Sequence, residues 1–220
     1  DVSHELKNPL TSLQSAMELI DKETVSSENK QKLYKNMLND IKRMNQLISD
    51  ISKFTRLKAE IELEKNQFID LNLFLDELPS MFANNQKEIK LIVNKCEENI
   101  ELLGNKNKLI QVFVNLIENS ISFSSKQSKI LIEVKKINKK MITIKIYDQG
   151  MGIEKNASEK VFDRFYTDRH ENYKNHTGLG LSIAREIITH MDGKLQLDKS
   201  EKSEYSGACF LIILPVRQSS

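Results

Sequence analysis

The chain has 220 residues, and its 33 Lys and Arg against 31 Asp and Glu leave a formal net charge of +2. With 29% charged residues, 39% hydrophobic residues, 7 glycines and 3 prolines, the composition excludes collagenous, low-complexity and loop-dominated proteins. Basic and acidic residues are interleaved along the chain, which argues against a dedicated nucleic-acid-binding protein.

The first part of the chain has the pattern of two helices. Apolar residues recur at spacings of three and four over 6–20, which is a heptad seam, and again over 33–61. Residues 26–29 interrupt the pattern, so we expect a helical hairpin over 1–64. A lone hairpin with so narrow a seam buries too little apolar surface to be stable. We therefore expect a four-helix bundle with a second copy of the chain.

Beyond residue 64 the heptad pattern ends, and residues 65–220 have the mixed pattern of an α/β domain. The stretch 150–178 is polar and too long for an ordinary connection, so we expect either disorder or a functional lid at about 154–177. Helices are predicted at 70–81, 106–121 and 181–191, and strands at 90–93, 130–134, 142–146, 194–197 and 208–214.

The chain begins at Asp1, directly in helical sequence and without Met, so we expect it to be part of a longer protein. It contains no signal-peptide pattern and no apolar run of about 18 residues, the minimum for a membrane-spanning helix. Cys96 and Cys209 lie far apart and outside any Cys-x-x-Cys pair, which argues against a zinc site or a disulfide framework.

His4, Glu5 and Asn8 form the first candidate site. On a helix His4 lies away from the apolar seam, and Asn8 falls about 40° from it on the same exposed stripe. An exposed imidazole has a pKa of about 6.5, so at pH 7 most of it is neutral and nucleophilic. Glu5 could accept the other ring N–H. The alternative interpretation is an ordinary solvated helix face.

Asn115 and Asn119 form the second candidate site, with Phe123 just beyond the predicted helix. The two amides lie one turn apart and therefore on one face of that helix. A row of amides is suited to binding a polar ligand or a metal-bound phosphate. The alternative interpretation, surface amides without a function, is equally open from this pattern.

Asp148 opens the third candidate site, followed by Gly150, Gly152 and Ile153. A carboxylate at a strand end can accept hydrogen bonds from a planar ligand, while glycines let the backbone approach that ligand closely. The same Asp-x-Gly-x-Gly pattern could also form an ordinary turn.

Gly178, Leu179, Gly180 and Leu181 form the fourth candidate site, at the start of a predicted helix. Glycines there expose backbone N–H groups at the positive end of the helix dipole, which favours phosphate. The stretch matches neither a Gly-x-x-x-x-Gly-Lys loop nor a complete dinucleotide fingerprint, so neither of those nucleotide folds is supported.

Each of these four motifs is weak alone, but their order along the chain is specific. Together with the Phe-Asp-Arg-Phe-Tyr motif at 162–166, they resemble the catalytic core of bacterial sensor histidine kinases over residues 1 to 216. The stretch 164–169 is similar to the sensor kinases of alphaproteobacteria. The resemblance implies an α + α/β fold. A helical hairpin would form a dimeric four-helix bundle, followed by an α/β sandwich ATP-binding domain of the histidine kinase, gyrase and chaperone ATPase type.

The resemblance implies catalytic roles for three residues of the first helix. His4 matches the residue that accepts the phosphoryl group, and Glu5 matches the acidic neighbour that assists it. Asn8 matches the polar residue one turn later, which in this family orients water for dephosphorylation of the partner regulator. Both a kinase reaction and a phosphatase reaction are therefore implied.

The resemblance also implies a site for ATP and Mg²⁺ in the second domain. Asn115 and Asn119 match the amides that hold Mg²⁺ and phosphates, with Asn119 as the metal ligand. Phe123 stands where the family usually has a Tyr that stacks on adenine, and Asp148 matches the carboxylate that binds the adenine amino group. The other matched positions shape the pocket, begin the lid or close over the phosphates: Gly150, Gly152, Ile153, Tyr166, Gly178, Leu179, Gly180 and Leu181.

The implied function is ATP-dependent autophosphorylation of His4, followed by transfer of the phosphoryl group to an aspartate in the receiver domain of a response regulator. The implied partners are a second copy of the chain and that regulator, with no nucleic acid. We expect this chain to be the cytoplasmic portion of a protein in the bacterial inner membrane, anchored by a region before Asp1.

Two other functions stay open at this point. The chain could be a conformational ATPase of the same fold, although such enzymes carry a Glu as hydrolytic base where this chain has Asn115. It could also be an ATP-binding dimeric module that acts mainly as a phosphatase, through Asn8, or as a pseudokinase. Titration with nucleotide, with and without Mg²⁺, tests this last alternative.

Overall fold

The structure, a computed structural model, describes residues 2–21, 26–63, 65–85, 87–166 and 178–217. The chain divides into a helical unit, residues 1–59 with 164–179, and an α/β unit, residues 60–163 with 180–220. Among the described helices, none combines the length and the apolar character needed to cross a bilayer.

Two long helices dominate the helical unit, α1 (Val2–Ile20) and α2 (Ser27–Leu63), as the heptad pattern predicts. The hydroxyl of Ser12 on α1 donates a 2.8 Å hydrogen bond to the carboxylate of Asp40 on α2, which joins the two helices. Ala16 on α1 and Leu47 on α2 are buried. The predicted hairpin therefore has a small buried seam.

Much of the apolar surface of these helices stays exposed. Met17 on α1 is 58% exposed and Leu38 on α2 is 59% exposed. Exposed apolar patches of this kind usually mark an interaction surface. The following residues are called the exposed stripe below: Leu10, Met17, Tyr34, Leu38, Ile41 and Ile48.

The described elements of the α/β unit are β1 (Gln67–Asp70), α3 (Leu71–Met81), β2 (Lys90–Asn94), β3 (Glu101–Gly104), α4 (Lys106–Phe123), β4 (Lys129–Asn138), β5 (Met141–Tyr147), α5 (Gly180–His190), β6 (Lys194–Leu197) and β7 (Cys209–Pro215). Five strands form one sheet in the order β2-β4-β5-β7-β6. Within it β2 runs parallel to β4, and every other neighbouring pair is antiparallel.

The three helices of the α/β unit pack against the five-stranded sheet, with α4 between α3 and α5. Along β5 the alternating residues Ile142, Ile144 and Ile146 are fully buried, as expected for a strand whose side chains alternate between two faces. Phe74 on α3 meets Phe113 on α4 edge-on, with ring centroids 5.2 Å apart. The predicted α/β sandwich is confirmed.

The remaining alternate positions of the sheet carry a smaller apolar cluster and ion pairs. Tyr147, Tyr205 and Cys209 belong to this cluster, and Lys145 pairs with Asp198 at 2.9 Å. Burial raises the pKa of the Cys209 thiol to about 12, so the thiolate is disfavoured and the residue serves as a packing group. The loop between β6 and β7 contributes Tyr205 and Asp198 to this layer.

Two parts of the structure differ from the local sequence pattern. Strands β1 and β3 were not predicted, and they form a separate antiparallel pair in which Phe68 lies opposite Leu103. Within the expected lid, Lys155–Ala157 and Lys160–Phe162 form two short 3-10 turns. Residues 167–177 of that lid lie outside the described part of the chain.

Candidate functional site

Asp148 directly follows β5 and is only 2% exposed, which is rare for a carboxylate. The backbone N–H groups of Gly150 and Ala208 donate hydrogen bonds to its Oδ1 atom at 2.9 and 2.8 Å. The main chain of Asp148 also exchanges hydrogen bonds with Gly207 and Ala208. Main-chain groups from two separate loops therefore hold this carboxylate.

Burial raises the pKa of the Asp148 carboxyl above its ordinary value of 3.8, because the charged form loses its water. The two N–H donors and the hydroxyl of Ser120 act in the opposite direction and favour the ionised form. Both backbone donors converge on Oδ1, and among the described residues no backbone N–H reaches Oδ2. A ligand with an N–H donor could therefore bind at Oδ2.

The loops around Asp148 need glycine. A Cβ atom on Gly207 would overlap Asp148 Oδ1 and the Gly150 nitrogen, and a Cβ on Gly150 would lie 3.0 Å from the carbonyl oxygen of Phe123. Gly152 has a positive φ of 78°, which other residues adopt only with strain. The half-buried Ile153 continues this loop toward the 3-10 turns.

Helix α4 carries polar side chains toward α5 and the end of β5. Asn115 is half-buried, and its Nδ2 atom is buried without a hydrogen-bond partner. Ser120 Oγ is also buried and lies beside the Asp148 carboxyl, but outside hydrogen-bonding geometry. Asn119, one turn after Asn115, is half-buried. Buried polar atoms without partners are uncommon. Asn115 Nδ2 and Ser120 Oγ therefore mark a place where a ligand can supply the missing hydrogen bonds.

The first residue of α5 lies beside this row of amides. A Cβ atom on Gly180 would be 3.5 Å from Asn115 Oδ1, so the start of α5 is next to Asn115. Leu181 follows and is half-buried. Because the first N–H groups of a helix have no partner within it, this end of α5 is suited to an anion.

Arg185 on α5 holds the first part of the expected lid. Its guanidinium lies 4.3 Å from the centre of the Phe162 ring and forms a 2.8 Å ion pair with Glu159. Cation–π contact and ion pair together tie the turn Lys160–Phe162 to α5. Sequence reasoning assigned no role to Arg185.

The motif at 162–166 meets Gly178, the first residue of the fourth candidate site. The N–H of Phe165 donates to the carbonyl of Gly178 at 3.0 Å, and a Cβ on Gly178 would lie 2.6 Å from the carbonyl oxygen of Tyr166. Gly178 also has a positive φ of 71°. Tyr166 is half-buried and Leu179 is buried.

The residues of the first motif lie on α1, in the helical unit. His4 and Glu5 are in its first two turns, and their side chains lie outside the described part of the structure. Asn8 is exposed, one turn after His4. Pro9 lies within the helix and has no N–H, so the carbonyl of Glu5 receives no hydrogen bond from it.

Three residues at the site around Asp148 were missed by sequence reasoning: Ser120, Gly207 and Ala208. Their contribution depends on positions that are far from Asp148 in sequence, because Ala208 lies 60 residues away. The rarity of glycine in this chain was the one signal that could have drawn attention to Gly207. Among the described residues, no three His, Cys, Asp or Glu side chains are grouped to hold a metal ion.

Two protein families match the chain. Residues 104–218 match the family described as histidine kinase-, DNA gyrase B-, and HSP90-like ATPase. Residues 1–60 match the family described as His Kinase A (phospho-acceptor) domain. The first match contains the site around Asp148, and the second contains His4.

The sequence is 33% identical to the sensor protein ChvG of Agrobacterium fabrum over 232 residues. That alignment covers all of this chain and 39% of ChvG. The chain therefore spans about two fifths of the length of this curated relative.

The solved structures that share the fold include ShkA and ThkA. Full-length ShkA in complex with AMPPNP matches with a TM-score of 0.66 and 19% identity, over 99% of this chain and 45% of ShkA. The histidine kinase ThkA in complex with the response regulator protein TrrA matches with a TM-score of 0.62 and 23% identity, over 98% of this chain and 60% of that chain. At these identities the likeness concerns the fold alone.

Proposed function

The chain belongs to the sensor histidine kinases of bacterial two-component systems, and from this premise we propose that it transfers the γ-phosphoryl group of ATP to His4 and then to an aspartate of a response regulator. The observation that carries the proposal is the environment of Asp148 beside α4. The chain spans 39% of the length of ChvG, so the proposal concerns the reaction of this part and not the signal that a longer protein senses.

The surroundings of Asp148 are suited to adenine. The base carries an exocyclic amino group, which could donate a hydrogen bond to Oδ2 while the backbone holds Oδ1. Ser120 Oγ, buried and without a hydrogen bond, lies beside the same carboxyl. Phe123 is 37% exposed at the end of α4, and its ring could stack on the base.

The region around Asn115 is suited to phosphates. The buried Nδ2 of Asn115 is a donor without a partner, and a phosphate oxygen would satisfy it. The backbone N–H of Gly180 adds the positive end of α5. Asn119 would ligate Mg²⁺, and the ion would neutralise charge on the transferred group. The remaining proposed contacts with ATP are Gly152, Ile153, Tyr166, Gly178, Leu179 and Leu181.

In the proposed reaction one imidazole nitrogen of His4 forms a bond to the γ-phosphorus, while the bond from that phosphorus to the β,γ-bridging oxygen breaks and ADP leaves. Glu5 accepts the N–H of the other ring nitrogen and stabilises the positive charge on the ring. A carboxylate oxygen of the regulator then attacks the phosphohistidine, and the imidazole returns to its neutral form.

Incubation of the whole chain with γ-labelled ATP and Mg²⁺ tests the proposal. The wild type should acquire an acid-labile label. His4→Gln should bind ATP normally but acquire no label, whereas the control His190→Gln removes an exposed imidazole from α5 and should be labelled normally. Asp148→Asn should bind ATP about 100-fold more weakly, because it loses the charged acceptor.

Two outcomes contradict the proposal. Labelling of His4→Gln at the wild-type rate would reject His4 as the acceptor. Unchanged ATP affinity in a folded Asp148→Asn would reject the adenine site.

A response regulator is the proposed protein partner. The match of residues 1–60 to a phospho-acceptor domain supports this partner, and so does the capture of TrrA by ThkA. We also propose that Asn8 orients water for dephosphorylation of the regulator, because it is exposed one turn after His4. Asn8→Ala should then autophosphorylate normally but release phosphate from the regulator more slowly.

A second copy of the chain is the other proposed partner. It would cover the exposed stripe and complete a four-helix bundle. Anchoring of a longer protein in the inner membrane, with this chain on the cytoplasmic side, is proposed because the sensor protein ChvG extends well beyond the matched region.

A further inference from the structure

A lysine between α3 and β2 has no role in the reaction described above. The ammonium of Lys87 donates hydrogen bonds to the backbone carbonyl oxygens of Ile121 at 2.8 Å, Ser122 at 2.7 Å and Ser124 at 2.7 Å. These carbonyls lie at the C-terminal end of α4, where the last carbonyls of a helix have no donor within it. All three donors of one ammonium therefore bind to one helix end.

The backbone of the same loop is joined to the segment that follows α4. The carbonyl of Lys87 accepts a 2.9 Å hydrogen bond from the N–H of Gln127, and the N–H of Lys90 donates to the carbonyl of Ser128 at 3.1 Å. The side chain of Gln127 donates to the carboxylate of Glu88 at 3.2 Å. Lys87 is thus held in place from its backbone, and its side chain cannot easily turn away from α4.

The interaction of Lys87 with this helix end is stronger than the interactions of an ordinary surface lysine. Hydrogen bonds from a charged donor are stronger than neutral ones, and a positive charge at a helix C-terminus interacts favourably with the helix dipole. Lys95 provides the contrast, because it forms a 2.8 Å ion pair with the side chain of Asp76 at the surface.

The end of α4 that Lys87 holds also lines the site around Asp148. Phe123 is the last residue of α4, and its carbonyl lies 3.0 Å from the place of a Cβ on Gly150. The loop after Asp148 therefore packs directly on the backbone at that helix end. Ser120, within the last turn, lies beside the Asp148 carboxyl.

We propose that Lys87 is a positioning residue for the nucleotide base. By holding the last turn of α4, it sets the distance of Phe123 and Ser120 from Asp148, and so the affinity for adenine nucleotides. Lys87 does not contact the nucleotide in this scheme; it acts through the backbone of α4. The inference rests on the proposed function of the site around Asp148.

Titration of the whole chain with ADP and Mg²⁺, below its unfolding temperature, tests the inference. Lys87→Met keeps much of the side-chain length and loses all three donors, so the Kd for ADP should rise about tenfold. The labelling rate at saturating ATP should stay within about twofold of wild type, so that KM changes and kcat does not. The matched control Lys95→Met should bind ADP as the wild type does.

Lys87→Arg gives an independent result. A planar guanidinium keeps the charge but cannot direct its donors from one atom to three carbonyls, so the Kd should rise about threefold. This variant decides the question if Lys87→Met does not fold. The inference is overturned if folded Lys87→Met binds ADP like the wild type, or if Lys95→Met weakens binding equally. It is also overturned if Lys87→Met does not fold and Lys87→Arg binds normally. A wild-type chain that binds no ADP would instead reject the proposed function.

Discussion

The two units of the chain bury their apolar residues to very different degrees. In the α/β unit Leu109, Phe113 and Ile144 are completely buried. In the helical unit the exposed stripe includes Leu38, which is 59% exposed. One unit thus completes its core within a single chain, whereas the other leaves a surface that a second molecule could cover.

The difference follows from the number of neighbours that each helix has. Helix α4 packs against the sheet and against α5, and its Phe113 meets α3. Helices α1 and α2 are joined by the hydrogen bond from Ser12 to Asp40, and Ala16 on α1 and Leu47 on α2 are buried. A pair of helices with one shared face cannot bury both apolar stripes, which is why such hairpins usually assemble further.

The largest expected effect is on the core of the α/β unit. Phe113→Ala should lower the free energy of unfolding of that unit by about 3–5 kcal/mol, because a buried ring leaves a cavity. Phe68→Ala, the control, removes a ring that is 51% exposed and should cost less than about 1 kcal/mol. Urea denaturation measures both. Equal costs for the two variants would contradict a self-sufficient core.

A smaller effect is expected on the helical unit. Leu38→Glu places a charge in the exposed stripe and should raise the dissociation constant of the dimer at least about tenfold, because the carboxylate would be buried without a partner. Sedimentation equilibrium measures this constant. The control Asn36→Glu adds the same charge at an exposed position elsewhere around α2 and should leave the dimer intact. If neither variant changes the molecular mass, the stripe is not the dimer interface.

The smallest effect is the pH dependence of stability. It comes from the burial of the Asp148 carboxyl in the α/β unit. The pKa of Asp148 is raised in the folded state, chiefly by burial, so folding favours the protonated acid. The resulting stabilisation is fully present below pH 3.8, the ordinary pKa, and is lost as the pH rises through the folded pKa.

Asp148→Asn cannot ionise and serves as the reference for this titration. The free energy of unfolding of the wild type, relative to Asp148→Asn, should fall as the pH rises from 3.8 through the folded pKa. Urea denaturation at a series of pH values measures that difference. A difference that rises with pH would mean that the N–H donors outweigh burial.

Regular local patterns predicted most of the fold. The seams over 6–20 and 33–61 gave α1 and α2, and the alternation of Ile142, Ile144 and Ile146 gave β5. Strands β1 and β3 could not be predicted in this way, because each has four residues and is stabilised by pairing with the other across α3 and β2. Such pairing leaves no periodicity within either strand.

The candidate site could be predicted where a residue type carries the chemistry. Asp148, Asn115 and Asn119 were identified because carboxylates and amides bind ligands through their side chains. Ala208 and Lys87 could not be identified, because one contributes a backbone N–H and the other acts on backbone carbonyls far away in sequence. Contacts of this kind depend on the tertiary fold and not on a motif.

The anchorage of Asp148 has a consequence for how its surroundings can vary. Its two donors are backbone N–H groups, which every residue except proline carries, so Ala208→Ser would keep the donor from Ala208 unchanged. Gly207 is different, because any side chain there would overlap the carboxylate itself. Two adjacent positions therefore have opposite tolerance to mutation: one is restricted only by the space available to its side chain, and the other admits glycine alone.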